Sequence, residues 1–307
     1  MRVQGRPPGA LSLPVALLRS CRPEQWTKNL LVLAALVFAR KFLEPAAVLK
    51  SILAFAVFCA ASSAVYLLND VRDAEADRQH PLKRFRPVAS GELSPASALI
   101  TAALLAILAL FGGLLLQPMF GAVVTAYLVL QAAYSLGLKH LVVLDVMSVA
   151  AGFLLRAIGG AVVIEVEVSD WLAICAGLLA LFLALAKRRH ELVALENAGD
   201  HRRSLEHYSA GMLDQMIAAV TGATLLAYSL YTMAPRTLRE LGTDNLKFTI
   251  PIVAYGLFRY LYLVYTKKEG GSPERHLVAD KPLLTAVVLY GIACGYILVF
   301  HARGVSP

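Results

Sequence analysis

Charge is scarce in this chain. Only 16% of its 307 residues are Asp, Glu, Lys or Arg, against 58% hydrophobic. That balance excludes an ordinary soluble domain and a disordered chain, and the length is short for several domains. Cysteine is scarce too. Cys21, Cys59, Cys175 and Cys294 stand far apart with no pair at metal-ligand spacing, so neither a disulfide framework nor a zinc site is expected. His190, His201 and His207 form no metal pattern with their neighbours. The segment LSLPVALL near the start is short, contains Pro14, and is followed by Arg19 without a small-residue cleavage site, so no signal peptide is read there. The net charge is +8, but the bases sit at the ends of apolar runs and not in a stripe interleaved with aromatics. Nucleic acid is therefore not an expected partner.

What the chain has is long apolar runs and a mean hydropathy of +0.64. Runs of about 20 residues are long enough to span a bilayer. They predict an all-α, polytopic membrane protein with helices near 28–44, 46–68, 95–116, 119–137, 141–164, 170–188, 210–233, 248–266 and 283–301. These nine would form one transmembrane domain over 1–307, ringing a central cavity, with 1–27 as an interfacial segment on the cytoplasmic side. With the N-terminus inside, the cytoplasmic segments hold 20 of the 29 Lys and Arg residues. That asymmetry predicts an N-in, C-out multi-pass topology, and the membrane expected is the plasma (inner) one.

The densest mixture of acids and bases is Asn69–Pro87, NDVRDAEADRQHPLKRFRP, between two apolar runs. A helix through Asp70, Asp73 and Asp77 (i, i+3, i+7) would put three carboxylates on one face. At a bilayer mouth such repulsion needs compensation, and Mg²⁺ with substrate phosphates is the usual form of it. Lys83, Arg84 and Arg86 follow as donors for phosphate oxygens. The stretch reads as a phosphate-plus-metal site on a membrane scaffold, more than as a merely solvated loop.

A second charged loop, Lys187–Tyr208, is basic through Lys187, Arg188, Arg189, Arg202 and Arg203. Its acids lack the tight spacing of the first loop. Lys187 and Glu191 (i, i+4) would share a helix face, and Tyr208 reads equally as an interface anchor or a phosphate donor. Lys187–Arg189 could also do no more than orient the sixth helix. Lys28, Asn29, Tyr134, Lys139 and Asp145 stand at the mouths of spans. Arg156 lies about three turns into the fifth helix. An intramembrane Arg is a functional candidate or a structural ion pair. Arg259, among tyrosines, reads as structural.

The Asn69-Asp70-x-x-Asp73-x-x-x-Asp77 stretch, the nine-span plan and the second charged loop together resemble the UbiA superfamily of intramembrane prenyltransferases. RPEQWTKNLLV (22–32), YLLNDVRDAEADRQHPLKRFRPVASGELS (66–94), LDVMSVAAGFLLRAIGGA (144–161) and KRRHEL followed by RRSLEHY resemble its decaprenyl-phosphate phosphoribosyltransferase branch. That resemblance implies an enzyme that moves 5-phosphoribosyl from phosphoribosyl diphosphate to decaprenyl phosphate, or a similar polyprenyl phosphate, for cell-wall arabinan. It also implies a cytoplasmic active site with Mg²⁺ as cofactor. Asp70, Asp73 and Asp77 would be the catalytic and metal-binding residues, with Asn69 assisting. Lys83, Arg84, Lys187, Arg188, Arg202 and Arg203 would position phosphates, helped by Lys28, Lys139, Arg156, Glu191 and Tyr208. Typical relatives carry a second Asp-rich motif where this chain has Asp200 as the loop's only aspartate. The remaining diphosphate site then suits the sugar donor, and the basic loop suits phosphate monoesters. A homo-oligomer is left open. The competing readings are transfer of a polyprenyl group from its diphosphate to an aromatic acceptor, which wants that second motif, and transport of an anion.

Overall fold

The computed structural model describes residues 12–167, 170–194, 203–266 and 279–300. They are helical, with no strand among them. They group into two compact units, Met1–Ser135 with Leu155–Glu167, and Leu136–Leu154 with Val168–Pro307.

The first unit begins with α1 (Leu13–Cys21) and a 3₁₀ segment, Pro23–Leu33, leading into the short α2 (Ala34–Phe38). Then come α3 (Pro45–Arg72), α4 (Ala74–Gln79), α5 (Pro87–Ser90), α6 (Pro95–Leu116) and α7 (Pro118–Leu136). Pro45, Pro87, Pro95 and Pro118 open their helices, where the missing N–H is no loss. Ser94 caps α6 by accepting from Ser97 N at 3.1 Å. α3 is the inner helix and packs chiefly on α6. Its buried Ala54, Cys59, Ala61, Ser62, Ser63 and Ala64 are small enough for close approach. The large apolar residues of α6, such as Leu104, Phe111 and Leu115, stay on its exposed side.

Helix α8 (Leu144–Val163) contributes to both units. The second unit adds α9 (Asp170–Ala194), a 3₁₀ turn at Arg203–His207, α10 (Ala210–Met233), α11 (Pro235–Leu241), α12 (Ile250–Thr266) and α13 (Lys281–Phe300). α9 packs on α10 and α12 on α13, around Phe182, Leu185, Leu213, Ile217 and Leu263. Arg259, read as structural, is that: its guanidinium donates two hydrogen bonds to Asp280, at 3.0 and 2.8 Å.

Among the described residues, six helices are long and apolar enough to cross a membrane: Pro45–Arg72, Pro95–Leu116, Pro118–Leu136, Leu144–Val163, Ala210–Met233 and Asn245–Thr266. α9 and α13 stand outside that set, so the all-α membrane class holds while nine spans are not found among the described residues. The clearest departure is 28–44, expected as one spanning helix and found as 3₁₀ and short α pieces. Tertiary contact accounts for it. Asn29 is fully buried, donating to Ser62 Oγ at 3.2 Å and Cys59 Sγ at 3.3 Å, both on α3. The Val32 carbonyl comes so close to α8 that a Cβ on Gly160 would lie 1.9 Å from its oxygen. Only glycine permits that approach.

Gly160→Ala is therefore expected to destabilise the protein by about 2 kcal/mol or more, because the clash is with backbone. Gly177→Ala, with nothing within 4 Å of the added Cβ, serves as the control. Thermal unfolding in detergent measures both; equal melting temperatures would refute the account of 28–44.

Candidate functional site

The Asp-rich stretch leaves the end of α3, and its backbone breaks at Asp73. α3 stops at Arg72 and α4 starts at Ala74, with Asp73 at the junction in a non-helical conformation (φ −93°, ψ 5°). The expectation of one helical face carrying all three carboxylates is thus corrected. Asp70 and Asp77 are buried, whereas Asp73 is half-buried at the joint. Arg86 bridges the buried pair, with Nη1 2.6 Å from Asp77 Oδ2 and 3.3 Å from Asp70 Oδ1. Arg22 adds an ion pair to Asp70, and its guanidinium lies 5.0 Å from the Tyr66 ring centroid. Arg22 has a left-handed backbone (φ 52°) between α1 and the 3₁₀ segment. That turn is costly for a residue with a Cβ.

Asp70 Oδ2 is buried with no hydrogen-bond partner. A buried carboxylate oxygen left bare is uncommon and is the acceptor a hard cation satisfies. The donor set is all oxygen, so Asp70 and Asp77, with Asp73 and Asn69 close in sequence, fit Mg²⁺ in chemistry. Among the described residues no three His, Cys, Asp or Glu side chains are gathered as a ready metal cage. The cluster of three aligned ligands expected from spacing is absent because the helix breaks at Asp73 and Arg86 lies between the other two.

Asn69 is half-buried beside Asp70, and Lys28 is half-buried in the 3₁₀ segment. Lys83 and Arg84, expected as the phosphate hook, are exposed, and Arg84 lies 4.8 Å over the Phe85 ring. Arg86, read from the sequence as a phosphate donor, and Arg22, given no site role there, hold the carboxylates. The signal for Arg86 was the proline after it: Pro87 opens α5 and fixes Arg86 at its N-cap. Arg156, 4% exposed, donates from Nε to Asn29 Oδ1 at 2.7 Å and from Nη2 to the Tyr127 hydroxyl at 2.9 Å. It is built into the core of the first unit, where Phe58 packs edge-on against Phe120 and Tyr127.

The second unit carries its own charge centre around Asp145, which is fully buried. Arg188 Nε donates to Asp145 Oδ2 at 2.9 Å, Ser204 Oγ lies 3.3 Å from the same oxygen, and the Tyr208 hydroxyl donates to Oδ1 at 2.8 Å. The same hydroxyl accepts from Val143 N at 2.7 Å. Val143 itself is left-handed (φ 68°), a strained conformation for a β-branched residue. Arg188 also pairs with Glu191, and Arg189 Nε pairs with Asp214 Oδ1 at 2.5 Å. Glu191 thus meets Arg188, three residues away, where sharing with Lys187 was expected. Tyr208, read as anchor or phosphate donor, donates its hydroxyl hydrogen bond to Asp145. Lys187 and Lys139 are half-buried. Arg202 lies outside the described residues, as does the side chain of Arg203. Ser204 is the residue sequence reasoning missed here, and Asp145, noted at the mouth of the fifth span, was given no partner there. A lone Asp at the start of an apolar helix was the available sign.

Residues 29–279 match the UbiA prenyltransferase family. The chain is 38% identical over 284 residues to a decaprenyl-phosphate phosphoribosyltransferase of Mycolicibacterium smegmatis, covering 89% of each chain. It is 36% identical over 295 residues to the protein of that name in Mycobacterium tuberculosis, covering 94% of this chain and 96% of that one. In fold it is similar to a UbiA homologue from Archaeoglobus fulgidus bound to GPP and Mg²⁺, with TM-score 0.70 and 16% identity. That likeness covers 92% of this chain and 99% of the other.

The Tyr208 phenol is pushed up to about 12, chiefly by burial, with Val143 N–H pulling it down and the bond to Asp145 raising it. An unfolded tyrosine ionises near pH 10. The raised value contributes stability that is whole below about pH 10 and lost as pH climbs through about 12. Absorbance titration of wild type minus Tyr208→Phe should show one phenol ionising near that upper limit. The variant should lose about 1–3 kcal/mol of stability, since Asp145 and Val143 N–H each lose a partner. A difference spectrum centred at pH 10 would refute the network.

Proposed function

Because the chain belongs to the UbiA prenyltransferase family, as an integral membrane protein, we propose that it transfers 5-phosphoribosyl from phosphoribosyl diphosphate to decaprenyl phosphate and releases diphosphate. The observation that carries this is 35–38% identity over about nine-tenths of the chain with enzymes of that name. The residues support it. One Asp-rich stretch serves one diphosphate, and the second charged loop is basic where a prenyl-diphosphate enzyme would want acids.

Asp70 and Asp77, with Asp73 and Asn69, would hold Mg²⁺, which when bound offsets negative charge on the diphosphate. Arg86 and Arg22 already lie on those carboxylates and can turn their remaining N–H groups to diphosphate oxygens. The C1–oxygen bond of the ribose breaks and the diphosphate leaves with the electron pair. An oxygen of the lipid phosphate forms the new bond to C1. That oxygen is anionic near neutral pH, so no general base is needed, in keeping with a site built of Asp, Asn and Arg. Lys187, Arg188, Arg202 and Arg203 are assigned to phosphate monoesters, with Lys28, Lys139, Glu191 and Tyr208 in supporting places. Lys83 and Arg84 are assigned to phosphate approach from the exposed side. The active site opens to the cytoplasm, with the N-terminus inside, in the plasma membrane, and the product serves cell-wall arabinan. Prenyl transfer to an aromatic acceptor is the second reading, and the A. fulgidus likeness favours it only in fold.

Purified protein in detergent with Mg²⁺ is expected to release diphosphate only when phosphoribosyl diphosphate and decaprenyl phosphate are both present. EDTA should abolish release. Asp70→Ala and Asp77→Ala should each lower turnover on the order of 100-fold. Prenylation of an aromatic acid from a polyprenyl diphosphate, with no release from the sugar donor, would overturn the proposal in favour of the second reading.

A further inference from the structure

Between α4 and α5 the chain makes a tight turn held by its own groups. Leu82 N and Lys83 N donate to His80 Nδ1 at 3.1 and 3.3 Å. Arg84 N donates to the His80 carbonyl at 3.2 Å, and Arg86 N to the Lys83 carbonyl at 2.9 Å. The turn presents Leu82, 77% exposed, and Phe85, 50% exposed, flanked by the exposed Lys83 and Arg84. A polar loop in water has no use for two outward apolar side chains. Apolar residues set among cations are what binds an anionic membrane interface.

Two further observations point the same way. α3 has 28 residues, about 42 Å at 1.5 Å per residue, against roughly 30 Å of hydrocarbon. One end must emerge from the hydrocarbon; the mixed-charge stretch marks it as the end bearing Asn69, Asp70 and Arg72, and the turn follows within a few residues. Independently, α1 is two-faced. Ala16 and Ser20 are buried while Leu13, Val15 and Leu18 are about half exposed beside Arg19. α1 and the turn both pack on α5.

We propose that the turn at His80–Arg86 and the outer face of α1 dock on the anionic headgroup surface of the leaflet into which the Asp-rich end of α3 emerges. Leu82 and Phe85 enter the headgroup–acyl boundary, and Lys83, Arg84 and Arg19 meet lipid phosphates. Each such base strengthens attachment about fivefold near an anionic surface. The docking holds Asp70 at the depth of lipid phosphate groups, so a phosphorylated lipid reaches it without leaving the bilayer. That consequence rests on the proposed function, but the docking does not.

The test is Phe85→Trp protein in nanodiscs of phosphatidylcholine and phosphatidylglycerol, with and without brominated acyl chains, after subtracting the wild-type signal of Trp26 and Trp171. Blue-shifted emission, quenched about twofold by the brominated chains, is expected for a boundary residue. The quenching should weaken in phosphatidylcholine alone and in the Lys83→Gln, Arg84→Gln background. Leu82→Trp gives a second reading of the same turn should Phe85→Trp fail to fold. Unquenched, water-like emission from either position would overturn the proposal. So would quenching seen only after phosphoribosyl diphosphate is added, which would make the turn a cover for substrate. Neither readout depends on turnover, so failure here is distinguishable from failure of the proposed reaction.

Discussion

A charge buried in an apolar helix bundle must be met by an opposite charge or by hydrogen bonds, because removing an ion from water costs several kcal/mol even after relaxation. The buried ionic groups singled out here obey that constraint by joining separate helices and turns, most of them far apart in the chain. Arg22 and Arg86 meet Asp70 and Asp77. Asn29 and Tyr127 meet Arg156. Arg188, Ser204 and Tyr208 meet Asp145. Hydrophobic burial does not discriminate strongly among helix pairings in lipid, since lipid tails are as apolar as leucine. The polar ties therefore carry much of the specificity, and small residues on α3 and Gly160 on α8 let the backbones come close enough to make them.

The same constraint shapes the chemistry. The first unit holds two carboxylates against two guanidiniums, with one carboxylate oxygen left bare. Such a centre can exchange partners at low cost: carboxylates go to a cation, and guanidiniums go to phosphate oxygens. A site built this way handles a diphosphate leaving group and an already anionic nucleophile, a reaction in which proton transfer has little part. The second centre differs, because both oxygens of Asp145 are met by donors from Arg188, Ser204 and Tyr208. Its role is to fix the start of α8, the polar end of α9 and the turn before α10 as one piece, at the expense of a strained Val143.

Long apolar stretches were legible because hydropathy over about 20 residues tracks burial in lipid whatever the neighbours do. The helices at 95–116 and 210–233 were bounded to the residue, helped by the prolines and serines that start or cap them. The stretch 28–44 was misread because its hydropathy is that of a span while its backbone answers to Asn29 and Gly160, contacts more than a hundred residues apart in part. The site was legible in its acids and, among its bases, in Arg86 but not in Arg22. Spacing marks which carboxylates are near one another, but which arginine reaches them depends on where the chain turns.

From the sequence alone came the membrane class, most of the helices, the Asp-rich stretch as the chemical centre and the family resemblance. All of these are properties of composition and local spacing, read along one dimension. Only the tertiary structure decided that Arg22 and Arg86 hold Asp70 and Asp77. It alone decided that Asp73 breaks the helix and that Tyr208 serves Asp145. Those outcomes turn on desolvation, which is set by which segments close over a charge, and no residue's neighbours in sequence record that.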